Sequence, residues 1–87
     1  MRIRVRRTGG FAGIERSAEV DTSALPDAAE WHTLAVTVLE QGDGDGRGVP
    51  DGFRYEITVD DRTVHCGDPR LTEAQRSLIA RVLKEGA

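Results

Sequence analysis

Glu56 and His65 are the residues whose types best suit proton transfer. The run "FRYEITVDDRTVHC" reads as two strands joined by a two-residue turn at Asp60 and Asp61. That pairing sets Glu56 beside His65 on the polar face of a sheet. An acid next to an imidazole can move a proton. A flat, solvated face has no burial to tune the pair, however, and no third group to orient it. An ordinary surface pair is therefore the expectation.

Other chemistry-bearing residues are weaker. In "DGDGRG", Asp43, Asp45 and Gly48 fall at the first, third and sixth positions of a calcium loop. Arg47 stands at the fifth and Arg54 at the twelfth, where a bidentate Glu is needed, so a solvated connection is expected instead. The single cysteine, Cys66, excludes an internal disulfide and a cysteine zinc cage. Strand parity points it inward, as a small apolar filler. His32, beside Trp31, is expected to face solvent, and the two histidines give no zinc signature. No lysine follows a glycine-rich turn, so there is no P-loop. No cofactor and no metal are expected, and no catalytic residues are assigned.

These residues need elements to position them. Residues 2 to 7 alternate, with Ile3 and Val5 on one face and Arg2, Arg4 and Arg6 on the other. Residues 14 to 20 alternate again: Ile14, Ala18 and Val20 share a face, as do Glu15, Ser17 and Glu19. Arg16 interrupts the apolar face without a reason visible in the sequence. The two runs form a hairpin across "TGGFAG". Pairing Arg7 with Ile14 sets Arg2 opposite Glu19 and Arg6 opposite Glu15; a shift of two residues leaves Arg4 facing Glu19.

Pro26 suits a first helical position, and Asp27 and Glu30 suit a first turn. Trp31, Leu34, Ala35, Val38 and Leu39 follow as one apolar helical stripe. The glycine-rich "QGDGDGRGVPDG" stops it. In the second hairpin Phe53, Tyr55, Ile57 and Val59 face inward, with Val64 opposite Ile57 and Cys66 opposite Tyr55. Thr72 and Gln75 match a capping box. Ala74, Leu78, Val82 and, to one side, Ile79 line a second helix ending at Gly86. The order ββαββα implies an α+β fold: a four-stranded antiparallel sheet with both helices on one face.

At 87 residues, the chain is expected to be a single domain, 1–87. With 38% hydrophobic residues and clear periodicity it is not a disordered chain. A net charge of −3 does not favour a nucleic-acid partner. No signal peptide or membrane span is read, so a cytoplasmic location without membrane attachment is expected. The arginines of "RIRVRR" could contact phosphates, but three lie opposite glutamates, and no exposed aromatic pair joins them.

The loop itself contains Phe11, one of four aromatic residues. Gly10 and Ala12 offer it no neighbouring bulk. The ring is either tucked over its own hairpin or presented as an anchor for a partner's pocket.

The string "RRTGGFAGIERSAEVDTSALP" resembles the N-terminal signature of the emfourin family. The likeness continues through "DGFRYEITVDDRTVHC" and "LTEAQRSLIARVL" and so covers nearly the whole chain. Asp61 departs from it, standing in a turn where members often carry Gly. The resemblance implies a non-enzymatic protein: a tight, competitive inhibitor of protealysin-like enzymes, which are thermolysin-type zinc metalloproteases. Such enzymes accept a bulky apolar side chain just after the scissile bond, which would suit Phe11. We therefore expect Gly9, Gly10, Phe11, Ala12 and Gly13 to form one contact surface, with Arg7 and Arg16 adding polar contacts. The alternative is a protein-interaction or nucleic-acid-binding module that uses the arginine-bearing sheet face. The segment 41–52 is either a bystander or a second contact.

Overall fold

The computed structural model describes residues 1–9, 15–42, 53–67 and 71–86. Strand β1 runs Arg2–Gly9 and β2 runs Arg16–Asp21. A short 3-10 turn, Thr22–Ala24, leads to helix α1, Ala28–Gln41. Strands β3 (Phe53–Val59) and β4 (Arg62–Gly67) precede helix α2, Glu73–Glu85. The strands form one antiparallel sheet in the order β2-β1-β3-β4. The expected ββαββα architecture is the one observed, with the two hairpins joined through β1 and β3.

That order follows from burial. Central strands are covered best, and they hold the larger apolar side chains: Ile3, Val5, Ile57 and Val59. The edge strands contribute Ala18, Val20, Val64 and Cys66 to the same face. Both helices cover that face. Trp31, Ala35 and Val38 are buried from α1, and Leu78, Ile79 and Val82 from α2. Leu34, Leu39 and Ala74 pack at the margin. The opposite face of the sheet carries Arg2, Arg4, Arg6, Arg54, Glu19 and His65 and is open to solvent.

The first hairpin is registered two residues from the first expectation. Arg7 pairs with Arg16, not Ile14; Arg4 faces Glu19, Arg2 faces Asp21, and Arg6 faces Ser17. A shift of two keeps every side chain on its face, so periodicity alone cannot choose between these registers. The choice is made by other contacts. Thr22 donates its N–H to the Met1 carbonyl at 2.9 Å, and its hydroxyl to the same oxygen at 3.1 Å. At the other end β1 runs on through Thr8 and Gly9, because Arg54 and Phe53 of β3 pair with them. Ile14 lies outside the described residues.

Helix α1 also starts later than expected. Pro26 is not its first residue: Asp27, expected within the first turn, is the N-cap, and Ala28 is the first helical residue. The Asp27 side chain makes no capping bond; Oδ1 accepts instead from the Trp31 indole N–H at 3.1 Å. The buried ring carries one polar atom, and Asp27 satisfies it. Helix α2 has the expected capping box. Gln75 N–H donates to Thr72 Oγ1 at 3.1 Å, and Thr72 N–H donates to Gln75 Oε1 at 2.9 Å. Gln75 is itself buried at 1% exposure, so the box is an internal feature rather than a surface one.

The helices run antiparallel and are tied at both ends. Thr72 Oγ1 donates to Gln41 Oε1 at 2.8 Å. At the far end Arg81 lies 3.8 Å from Asp27 and 3.6 Å from Glu30. The end of α2 also sits hard against β2. A Cβ added to Gly86 would meet the Val82 carbonyl at 2.7 Å and the Glu19 carbonyl at 2.9 Å. Only glycine permits that approach.

Candidate functional site

Of the expected contact residues, Gly10, Phe11, Ala12 and Gly13 lie outside the described residues, as do Asp43, Asp45 and Gly48. Arg7, Gly9 and Arg16 are described, and the fold brings them to one place. Arg7 and Arg16 are direct cross-strand partners on the last rung that β1 and β2 share. Both project from the helix-facing side of the sheet, as parity with Ile3, Val5, Ala18 and Val20 requires. Gly9 follows at the end of β1 with φ 85°. That left-handed backbone suits glycine and begins the passage toward β2.

The surroundings of the two arginines differ. The Arg7 guanidinium stacks over the Phe53 ring, 4.4 Å from its centroid. Phe53 in turn lies beside Tyr55, with centroids 6.4 Å apart. Arg7 Nε is buried and donates to no acceptor. Arg16 reaches across to α2 and donates from Nη2 to the Leu83 carbonyl at 3.1 Å. This explains its place on the apolar face: the end of α2 has carbonyls without helical partners, and a guanidinium satisfies one of them. Among the described residues, no carboxylate forms an ion pair with Arg7 or Arg16.

Phe53 was not singled out by sequence as part of this site. Its signal is the pairing of Phe53 with Gly9, which depends on β1 lying beside β3. Nothing local to either strand announces that neighbour. Leu83 contributes only a main-chain oxygen, which has no sequence signature at all.

The opposite sheet face is arranged differently. Arg6 donates to both oxygens of Glu15, at 2.9 and 3.1 Å, and lies 3.8 Å from Glu56. Arg2 sits 3.4 Å from Glu19. The pairs Arg2–Glu19 and Arg6–Glu15 are thus formed, but diagonally across the ladder rather than directly opposite. The Arg6 hydrogen bond, then its charge, holds the Glu15 carboxyl below the ordinary carboxylate range. The same bond holds Arg6 more firmly charged.

Glu56 and His65 are cross-strand neighbours as expected, with Nε2 and Oε1 3.7 Å apart. His65 is exposed, and the Glu56 carboxylate is shared with Arg6. A depression lined by Arg4, Arg6, Glu56 and Thr58 encloses only about 70 Å³. Small-molecule sites usually hold roughly 300–1,000 Å³, so this one is too small to enclose a substrate. Cys66 is buried, and His32 is exposed. Among the described residues, no group of three His, Cys, Asp or Glu side chains could hold a metal ion. No helix among them is long and apolar enough to cross a membrane.

The hairpin end thus combines a glycine at positive φ, a ring, and two guanidiniums with which no described carboxylate forms an ion pair. The sequence model of the emfourin family matches residues 5–83, which includes this end and both helices. No curated protein and no solved structure matches the chain. With the match running from the middle of β1 into the last turn of α2, the chain belongs to the emfourin family.

Proposed function

We propose that the chain is a protein inhibitor of thermolysin-like zinc metalloproteases, acting from the cytoplasm and blocking the substrate cleft by tight binding. Membership of the emfourin family carries this reading, since the family is one of protease inhibitors. The geometry is compatible with it. A rigid four-stranded sheet holds Arg7, Gly9 and Arg16 at the end from which the segment 10–14 connects β1 to β2.

In this reading Gly9 to Gly13 form the contact surface, and Phe11 supplies an apolar side chain for the enzyme pocket that receives the residue after the scissile bond. Aromatic anchors of that kind carry a disproportionate share of binding energy. The test is an activity assay of a thermolysin-like protease titrated with wild type and with Phe11→Ala. The variant is expected to fold and to inhibit at least about tenfold more weakly, about 1.4 kcal/mol. A folded variant that inhibits like wild type would remove Phe11 from the contact.

A further inference from the structure

We propose that Arg7 and Arg16 together form a receptor for one carboxylate, an Asp or Glu side chain at the rim of the target protease's cleft. This inference rests on the inhibitor reading above and names the chemistry of one contact within it. Two like charges directly opposite each other on a ladder destabilise the pairing. The fold nevertheless sets Arg7 opposite Arg16, and no described acid stands between them. It also leaves Arg7 Nε buried without an acceptor, which is a costly arrangement for a charged donor. On the other face, Arg2 and Arg6 each hold a glutamate.

Both guanidiniums are held in place. Phe53 lies under Arg7, 4.4 Å from ring centroid to guanidinium carbon, a cation–π contact. The Leu83 carbonyl takes one Nη2 proton of Arg16 and anchors that side chain to α2. Arg7 Nη1 and Nη2 donate to no described residue, and Arg16 has donors left beyond the one that Leu83 takes. A carboxylate placed between them would accept from both, with charge-assisted bonds, and would cancel their mutual repulsion.

The test compares inhibition of a thermolysin-like protease by wild type, Arg7→Gln, Arg16→Gln, the double variant and Arg4→Gln, at low and high NaCl. Each single variant is expected to weaken inhibition about tenfold at low salt, and less at high salt. The double variant should lose less than the product of the single losses, because one carboxylate is shared. Arg4→Gln, on the opposite face, should inhibit as wild type does. Thermal unfolding checks that each variant is folded. If Arg7→Gln does not fold, Arg7→Lys keeps the charge and stem without the planar fork, and should still bind more weakly than wild type. Wild-type inhibition that Arg7→Gln and Arg16→Gln retain in full overturns this site and leaves the inhibitor reading standing. Absence of inhibition by wild type overturns that reading, and this inference falls with it. Oligonucleotide binding that the same substitutions abolish, with inhibition unchanged, would overturn the protein carboxylate in favour of phosphate.

Discussion

Arg6 and Arg7 are neighbours in one strand and live in opposite electrostatic settings. Arg6 points to the open face, where Glu15 takes two of its hydrogen bonds and Glu56 lies within reach. Arg7 points to the helix side, where its guanidinium lies over the Phe53 ring, its strand partner is Arg16, and no described acid forms an ion pair with it. The first side chain is answered within the chain, and answered exposed pairs add little to stability. The second is left with an unmet need. An arginine count cannot distinguish the two. The difference lies in which cross-strand and diagonal neighbours each one finds, and the proposed contact builds on it.

Several substitutions would break or sharpen that contrast, beginning with the largest expected effects. Replacing Arg7 or Arg16 by Gln should cost about tenfold in inhibition. Gly86→Ala comes next and acts on stability. Its Cβ would collide with two main-chain carbonyls and push the end of α2 off β2, costing roughly 1–2 kcal/mol in denaturant unfolding. Because Leu83 belongs to that same end, Arg16 should lose its anchor, and inhibition should weaken as well. Unchanged stability would mean that the close approach at Gly86 is not maintained.

Phe53→Leu keeps an apolar side chain but removes the ring face under Arg7. A cation–π contact of this sort contributes about 0.5–1 kcal/mol, so inhibition should weaken about two- to fivefold, read from the inhibition constant. A loss as large as that of Arg7→Gln would mean that Phe53 contacts the partner itself. Arg6→Gln should have the smallest effect, with inhibition unchanged and a slight loss of stability at neutral pH.

The pH dependence of that slight loss has a definite sign. Folding lowers the pKa of the Glu15 carboxyl through its bond to Arg6. The contribution is therefore present above the ordinary carboxylate range and is lost as pH falls through the lowered folded value. Stability of wild type and Arg6→Gln, compared by unfolding curves, should differ near neutral pH and converge under acid. Asp21, held low by hydrogen bonds from the Ser23 hydroxyl and backbone N–H, should lose its contribution in the same direction in both proteins. A gap between the two proteins that widens under acid would contradict the assignment.

Much of the fold was legible because its periodicities are clean. Phe53, Tyr55, Ile57 and Val59 alternate without interruption, and Trp31, Ala35 and Val38 repeat at helical spacing. The capping box at Thr72 and Gln75 is local, so sequence spacing was enough to find it. The first register was not legible, since a slip of two residues changes no side chain's face. The observed register goes with the bonding of Thr22 to the Met1 carbonyl, a contact that alternation does not specify. The start of α1 was misplaced because Pro26 suits a first helical position by type alone, whereas Asp27 is the N-cap and its side chain accepts from the Trp31 indole one turn on.

The site was legible only in outline. Arg7, Gly9 and Arg16 were expected at one end of the sheet, and the fold gathers them there. The reason for Arg16 was hidden because its acceptor is a main-chain oxygen 67 positions away. Phe53 was hidden because its neighbour Gly9 is supplied by strand order, which alternation does not specify. In both cases the missing information was a contact between distant segments, and composition and spacing carry none of it.

The central claim is inhibition. A thermolysin-like metalloprotease assayed on a peptide substrate, with increasing amounts of this protein, should lose activity in a dose-dependent way that added substrate relieves. Full activity in the presence of excess folded protein, across several such proteases, would contradict the account.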